Sequence, residues 1–183
     1  MAELVDALVS NTSDSNIVPV RSRPWAQAST RMSKMEITLA EKQLAIDKRY
    51  LKMARIWATN SYCHRRQVGA LIVKDKMIIS DGYNGTPSGF ENECEDEHDV
   101  TKPYVLHAEA NAITKVAKSN NSSDGSTLYI TTSPCMECSK LIIQAGIKRV
   151  VYEEKYRITD GLELLERAQI DLVHIPETGD ERE

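Results

Sequence analysis

The sequence lacks three features that would mark other classes of protein. It has no excess of basic residues, because 27 Asp and Glu outnumber 23 Lys and Arg and give a formal net charge of −4. Proteins that grip a long nucleic acid need a basic surface, so this balance argues against a polynucleotide partner. No apolar run approaches the length of a membrane span. The first ten residues also have neither the basic start nor the apolar core of a secretory signal peptide.

Cysteine is scarce as well. The four cysteines are Cys63, Cys94, Cys135 and Cys138, and the last two form a C-x-x-C pair suited to thiolate ligation. Such use of cysteine favours a reducing compartment over a secreted disulfide framework. We therefore expect a cytoplasmic protein that does not associate with a membrane.

The 183 residues are 41% apolar, which is enough for one domain with a sizeable core. Residues 1–34 mix Ser, Asn, Thr and Pro without a sustained period, so we expect a disordered extension, with Met32 or Met35 as an alternative translation start. This leaves residues 35–176 as the folded domain and residues 177–183 as a mobile acidic tail.

Hydrophobic periodicity predicts alternating helices and strands after this extension. A helix over residues 36–60 precedes a hairpin that turns at 74–76, and a glycine-rich turn follows at 82–89. The remaining elements are predicted as helices at 107–118, 135–145 and 160–168 and strands at 127–132, 148–152 and 170–175. Strand–helix–strand repeats imply right-handed crossovers, so we expect an α/β fold: a three-layer α/β/α domain with a mixed five-stranded sheet.

Two short motifs each open a predicted helix: HAE at residues 107–109 and PCMEC at residues 134–138. One imidazole and two thiolates suit zinc and leave a fourth position open for water, as in catalytic zinc sites. Cys135 and Cys138 stand at i and i+3, so both sulfurs leave the same face of the first helical turn. Glu109 could reach that water without binding the metal, and a carboxylate in this place can carry protons.

Each motif has plainer interpretations when taken alone. A C-x-x-C pair could be a redox pair or half of a structural zinc knuckle, and H-x-E could be an ordinary helix start. Together they match the H-x-E…P-C-x-x-C signature that is general among zinc nucleobase deaminases.

The sequence resembles the deoxycytidylate (dCMP) deaminase family over residues 45–176. The similar runs are GYNGTPSG, YVLHAEANA, TLYITTSPCMECSKLIIQAGIKRVVY and the tripeptide Glu154-Lys155-Tyr156. The resemblance implies that His107, Cys135 and Cys138 hold Zn²⁺ and that Glu109 shuttles protons. The implied reaction is hydrolysis of dCMP to dUMP and ammonia, which would supply dUMP for thymidylate synthesis.

The resemblance also implies substrate contacts. Asn84 would bind the sugar and Tyr156 would border the substrate, while Ala108 and Ser133 would face the base. The cations on nearby loops that could meet the phosphate are Arg65, Arg66, Lys155 and Arg157. One departure from the family pattern is Pro103, where an aromatic residue is expected, and it affects only the path of that loop.

Further implications concern regulation and a second metal. The resemblance implies a homohexamer that is activated by dCTP and inhibited by dTTP, with Mg²⁺ accompanying the triphosphate. Cys63, Cys94 and His98 could hold a structural second zinc, with His64 as a fourth candidate ligand. Free thiols and an acidic solvated loop over residues 90–104 are the alternative interpretation.

Three alternative functions share parts of this pattern. Free-nucleoside cytidine deaminases usually place a cysteine where His107 stands. Transfer-RNA adenosine deaminases share both motifs but hold a polynucleotide, which the acidic run at 91–99 disfavours. A non-enzymatic zinc module would need a fourth protein ligand and would have no use for Glu109.

Overall fold

A computed structural model describes residues 24–177, with side chains from Glu36 onward. The chain divides into two compact units, residues 1–40 and residues 41–183. The described part of the first unit is helical. The second unit holds the sheet and the residues predicted to form the site.

The predicted extension over residues 1–34 is described only in part. Residues 1–23 lie outside the described residues, but a helix begins at Pro24, so the backbone is regular well before residue 35. Proline suits the first position of a helix because its missing N–H has no intrahelical partner there. Of the predicted acidic tail, only Glu177 is described.

The described residues form four helices and five strands in the predicted order. They are α1 (Pro24–Ala58), β1 (Gly69–Lys74), β2 (Met77–Tyr83), α2 (Ala108–Ala117), β3 (Thr127–Thr132), α3 (Met136–Gln144), β4 (Arg149–Glu154), α4 (Asp160–Arg167) and β5 (Asp171–His174). Among the described residues, no helix combines the length and apolar character that crossing a bilayer requires.

The sheet is mixed, with strand order β2-β1-β3-β4-β5. Strand β1 pairs antiparallel with both β2 and β3, whereas β3, β4 and β5 run parallel. The β1–β2 turn places Asp75 and Lys76 at positive φ, which fits the strand twist of a tight hairpin. Parallel strands need crossovers, and α3 and α4 supply them, so the predicted fold class is confirmed.

Alternate residues of the central strands point to opposite faces and fill two cores. One core joins Ile72, Leu128, Ile130 and Val150 to the buried faces of α2, α3 and α4. The other joins Leu71, Val73, Tyr129 and Val151 to Leu51 and Ala54 of α1. The sheet therefore lies between two helical layers, as a three-layer domain requires.

Trp57 has the helical spacing of the buried α1 residues Leu51, Ala54 and Ala58, but it does not lie in the core. Trp57 is 38% exposed and its indole N–H donates to Asp81 at 2.8 Å. A polar partner at the surface suits the indole because its N–H must be satisfied wherever the ring packs.

A buried ion pair ties α1 to the sheet. Asp47 is 2% exposed and accepts two hydrogen bonds from the guanidinium of Arg149, at 2.8 and 2.9 Å. The hydroxyl of Tyr129 donates to the same carboxylate at 2.8 Å. Burial alone would raise the pKa of Asp47, but hydrogen bonds from Arg149, Tyr129 and Gln43 lower it below its ordinary value.

Candidate active site

The HAE motif lies where α2 begins. His107 is the residue before the helix, in an extended conformation, and its side chain makes no capping hydrogen bond. Its Nδ1 atom lies 3.4 Å from Sγ of Cys135 and 3.5 Å from Sγ of Cys138. The imidazole therefore points toward the two sulfurs and does not cap the helix that follows it.

The PCMEC motif lies where α3 begins, directly after β3. Cys135 precedes the helix and Cys138 stands in its first turn. Within the described residues, His107 and these two cysteines are the one group of three His, Cys, Asp or Glu whose ligand atoms meet, all within 4.8 Å of one another. A nitrogen and two sulfurs so close together match the donor set of a zinc site with an open fourth position.

The charge state of the two thiols supports this match. The hydrogen bond to Cys138 lowers the pKa of Cys135 to about 3, helped by His107, whereas the same bond and burial raise the pKa of Cys138. The hydrogen bond to Cys135 also raises the pKa of His107. One sulfur is thus already a thiolate at neutral pH, and the start of a helix favours that negative charge.

Glu109 lies beside this group in the first turn of α2 and is 3% exposed. Burial is the main cause that raises its pKa from 4.5 to about 7. A carboxyl group with such a pKa can hold or release a proton at neutral pH, as acid–base catalysis requires. We call His107, Glu109, Cys135 and Cys138 the floor.

The floor opens into a cavity of about 530 Å³, which is large enough for a nucleotide-sized ligand. The four residues predicted to contact substrate all line it: Asn84, Ala108, Ser133 and Tyr156. Four cations of two loops line it too, and we call them the rim: Arg65, Arg66, Lys155 and Arg157. The cavity therefore joins a buried metal-binding group to a positively charged wall.

The side-chain amide of Asn84 braces the loop that precedes β1. Its Oδ1 accepts the N–H of Val68 at 2.7 Å, and its Nδ2 donates to the carbonyl of Arg66 at 2.8 Å. An amide has two donors and two lone pairs, so one donor and one lone pair remain for a ligand. Asn84 therefore shapes the cavity wall besides lining it.

Ser133 and Tyr156 are linked through the end of β4. The hydroxyl of Ser133 accepts the N–H of Tyr156 at 2.8 Å, and this fixes the loop after β4 against the floor. The Tyr156 ring lies 5.6 Å from the guanidinium carbon of Arg66 and 5.8 Å from that of Arg157. Two cation–π contacts thus place Arg66 and Arg157, which lie on separate loops, against the same ring.

Comparison with known proteins identifies the family. The cytidine and deoxycytidylate deaminase zinc-binding region matches residues 44–154. The chain belongs to the cytidine and deoxycytidylate deaminase family. It is therefore a deaminase, which is a hydrolase, and the predicted resemblance is confirmed. The family's zinc-binding region, together with the His-Cys-Cys group, supports Zn²⁺ as the cofactor.

Two relatives illustrate the extent of the similarity. The chain is 39% identical over 131 residues to ComE operon protein 2 of Bacillus subtilis, covering 69% of each chain. It is 39% identical over 120 residues to human deoxycytidylate deaminase, covering 61% of this chain and 66% of the human protein.

A solved structure adds a ligand-bound relative. The dCMP deaminase of cyanophage S-TIM5, in complex with dCMP and dUMP, aligns with a TM-score of 0.70 and 48% identity. The alignment covers 72% of this chain and 97% of the phage protein.

The deaminase does not form the predicted second metal site in the state described here. Cys63 and Cys94 are joined in a disulfide, so neither sulfur is available as a thiolate ligand. His98 is exposed and its Nε2 lies 3.6 Å from the carboxylate of Glu97. Among residues 36–177, the floor holds the one group of three His, Cys, Asp or Glu residues whose ligand atoms meet, and the structure does not bring His98 together with Cys63 and Cys94.

The contribution of the acidic insertion to the cavity was not predicted. Glu95 and Thr101 of the insertion line the cavity, as does Val105 directly after it, although the charge run over residues 90–104 is typical of a solvated loop. The disulfide between Cys63 and Cys94 was not predicted either, since their spacing in the sequence indicates no bond. One cysteine before β1 and another within the charged insertion were the available signal.

Proposed function

We propose that this deaminase hydrolyses dCMP to dUMP and ammonia. The observation that carries the proposal is the cavity itself, which is lined both by the metal-binding floor and by the four cations of the rim. A pyrimidine with a phosphate on its sugar presents a ring for the floor and a dianion for the rim. The similarity to the phage enzyme bound to dCMP and dUMP supports the same substrate.

The floor would perform the chemistry. His107, Cys135 and Cys138 would hold the zinc ion, which when bound supplies an acidified water as nucleophile. Glu109 would take one proton from that water and pass it to N3 of the cytosine ring. It would then take the second proton from the hydroxyl added at C4 and pass it to the departing amine. Its pKa of about 7 matches a group that must both accept and donate protons in one cycle.

The wall of the cavity would position the nucleotide. Asn84 would hydrogen-bond the deoxyribose with its remaining amide groups, and Ser133 and Ala108 would face the base through their backbone. Ala108 and Ser133 are buried and line the same cavity as Glu109, which supports this assignment. Tyr156 would border the sugar while it gathers Arg66 and Arg157.

The rim would select the monophosphate over the nucleoside. Arg65, Arg66, Lys155 and Arg157 line the cavity on loops, where their charges can turn toward a phosphate. A charge-assisted contact of this kind is worth about 1.5–3 kcal/mol, or roughly tenfold to more than a hundredfold in selectivity. The net charge of −4 supports a small nucleotide and not a polynucleotide as substrate.

Regulation and assembly belong to the same proposal. The enzyme would be a cytoplasmic homohexamer that supplies dUMP for thymidylate synthesis, activated by dCTP and inhibited by dTTP with Mg²⁺ bound to the triphosphate. The family membership supports the control, and the exposed apolar residues Met53 and Ile56 on α1 support contact with a second copy. If this control exists, we expect sigmoidal kinetics with dCMP that change when either triphosphate is added.

Ammonia release distinguishes this function from the alternatives. We expect rapid release from dCMP, slower release from deoxycytidine and cytidine, and none from adenosine in structured RNA. Sedimentation of the same sample would report its assembly. Equal rates on nucleoside and nucleotide would contradict the proposed substrate, and release from RNA alone would favour the transfer-RNA deaminases.

A further inference from the structure

The β4–α4 loop, residues 155–159, carries two of the four rim cations. Its first end is fixed to the end of the strand that precedes the floor. The backbone N–H of Ser133 donates to the carbonyl oxygen of Glu154 at 2.8 Å, and the Ser133 hydroxyl accepts the N–H of Tyr156 at 2.8 Å. This end of the loop is therefore bound two residues before Cys135.

The second end of the loop meets the same segment at Gly161, the second residue of α4. A Cβ on Gly161 would lie 2.8 Å from the carbonyl carbon of Cys135 and nearer still to the carbonyl oxygen of Pro134. It would also lie 2.9 Å from the hydroxyl oxygen of Ser139. Side-chain carbons do not approach backbone atoms this closely, so α4 can rest on the backbone of Cys135 only because residue 161 has no side chain.

Space, and not conformation, requires glycine at this position. The glycines with positive φ among the described residues are Gly89, Gly125 and Gly146, so Gly161 has a φ that alanine also adopts. Alanine is the better helix former as well. The two nearest atoms belong to the backbone, which cannot rotate away as a side chain can. A substitution must therefore move either α4 or the segment that carries Cys135.

We propose that Gly161 is a positioning residue for the floor and the rim together: it seats α4, and with it the β4–α4 loop, directly on the backbone of Cys135. Residues 133–135 are then held from both ends of that loop. The effect on the floor concerns the zinc-binding residues alone, whereas the effect on the rim rests on the proposed dCMP substrate.

The floor has little room for a displacement. Nδ1 of His107 lies 3.4 Å from Sγ of Cys135 and 3.5 Å from Sγ of Cys138. Metal sites keep their ligand distances to within about 0.2 Å, so a small shift of the Cys135 backbone weakens zinc binding. Leu162 and Leu165 anchor α4 in the core. A Cβ at residue 161 therefore displaces both the floor and the β4–α4 loop.

The first test measures the zinc affinity of full-length Gly161→Ala by competition with a chelator, at a temperature where the variant is folded. We expect the affinity to fall about 10–100-fold, the range typical of replacing a residue that supports a metal ligand. Wild-type zinc affinity in this variant would overturn the proposal.

Leu165→Ala is the matched control on the same helix. Leu165 is fully buried in the core, so its truncation should lower the melting temperature at least as far as Gly161→Ala does. It should leave the zinc affinity unchanged, because Leu165 is not the residue that meets Cys135. A comparable loss of zinc affinity in Leu165→Ala would overturn the proposal, since a general loss of stability would then explain both variants.

A double variant identifies the atoms that make the contact. The Ser139 hydroxyl is buried and has no hydrogen-bond partner among the described residues, so Ser139→Ala alone should keep wild-type zinc affinity. Ser139→Ala/Gly161→Ala removes this hydroxyl and leaves the backbone of Pro134 and Cys135 in place. We expect the double variant to bind zinc as weakly as Gly161→Ala. Recovery of the affinity would assign the contact to the Ser139 side chain and overturn the proposal.

Hydrogen exchange tests the same contact without a substitution. Removing zinc from the wild-type protein should speed exchange in α2 and α3 and also in residues 155–163, while α1 stays unchanged from Asp47 to Ala58. Faster exchange confined to α2 and α3 would overturn the proposal, because the loop and the start of α4 would then be independent of the floor.

The last measurement concerns the rim. In zinc-saturated Gly161→Ala, KM for dCMP should rise severalfold and KM for deoxycytidine should change less, since only the phosphate of dCMP meets the cations of the displaced loop. Equal changes in the two KM values would overturn the role of Gly161 at the rim. An enzyme that does not hydrolyse dCMP at all would contradict the proposed function, whereas wild-type zinc affinity in Gly161→Ala would contradict this inference alone.

Discussion

The floor and the rim of the cavity are built in different ways. The floor stands at the first turns of α2 and α3, and Glu109 and Cys138 are buried. The rim stands on loops, and its cations are exposed. Hydrogen bonds, ring contacts and a disulfide hold those loops.

The contrast shows that the floor needs a fixed geometry, whereas the rim tolerates movement. Proton transfer and metal binding require fixed geometry, which helix ends packed on a sheet provide. Recognition of a phosphate tolerates movement, because a long cationic side chain can follow the charge. The floor can therefore keep one catalytic chemistry while changes in the rim alter the affinity of the cavity for a phosphate.

The largest effect should come from breaking the floor at Glu109. Glu109→Gln should lower kcat by about 10²–10⁴-fold, because the amide can no longer accept and return a proton. The variant should keep its zinc, since Glu109 is not among the three ligating groups. Metal analysis and steady-state rates would check both parts, and a metal-free variant or near-normal turnover would contradict the assigned role.

The next largest effect should come from breaking the ion pair that ties α1 to the sheet. Asp47→Asn should lower the free energy of unfolding by about 3–5 kcal/mol at neutral pH, because it leaves the Arg149 guanidinium, which is 20% exposed, without its buried carboxylate partner. Asp171→Asn is the control on the same guanidinium. Asp171 is 62% exposed, so its loss should cost under about 1 kcal/mol.

The effect at Asp47 should depend on pH in one direction. Its pKa is lowered in the folded protein, so its contribution to stability is present at neutral pH and is lost as pH falls below 3.8 through the folded value. Urea unfolding should show wild type and Asp47→Asn converging in acid. A gap that widened on acidification would contradict the assigned ion pair.

A smaller effect should follow from crowding the helix that carries Glu109. A Cβ on Gly82 would lie 2.2 Å from the carbonyl oxygen of Ala108 and 2.7 Å from the nitrogen of Ala112. Gly82→Ala should therefore push α2 away and cost about 1–3 kcal/mol, together with part of the zinc affinity. In Gly85→Ala the nearest atom would be 3.9 Å away, so its melting temperature should match wild type. Equal melting temperatures for both variants would contradict this packing.

The smallest predicted effect sharpens the description of the rim. Tyr156→Ala should raise KM for dCMP severalfold, because each lost cation–π contact is worth about 0.5–1 kcal/mol at an exposed site. Tyr156→Phe keeps the ring and should stay near wild type. If both substitutions raised KM equally, the hydroxyl and not the ring would be the working group.

The sequence predicted the floor and the order of elements well, for a physical reason. His107, Glu109 and the two cysteines stand at fixed offsets within helical turns, so local geometry brings them together once the helices form. Strand β3 matches its predicted range, and the other elements differ at their ends, where helices fray and strands lose partners.

The contribution of the acidic insertion to the cavity escaped prediction because tertiary contacts make it. The insertion has the composition of a solvated loop, yet one disulfide and Glu95 turn it toward the cavity. Trp57 has the spacing of a core residue, but Asp81 offers its indole a partner at the surface. The sequence contains these residues without indicating which distant partner each one meets.

The ratio of kcat/KM for dCMP to that for deoxycytidine is the most direct test of the central claim. The floor is the same for both substrates, so any difference must come from the rim. We expect the wild-type ratio to lie between about tenfold and a few hundredfold, and to fall sharply in Arg66→Gln/Arg157→Gln with little change in kcat for deoxycytidine. A wild-type ratio near one, or a ratio that the double variant leaves unchanged, would contradict a floor that performs the chemistry beneath a rim that selects the phosphate.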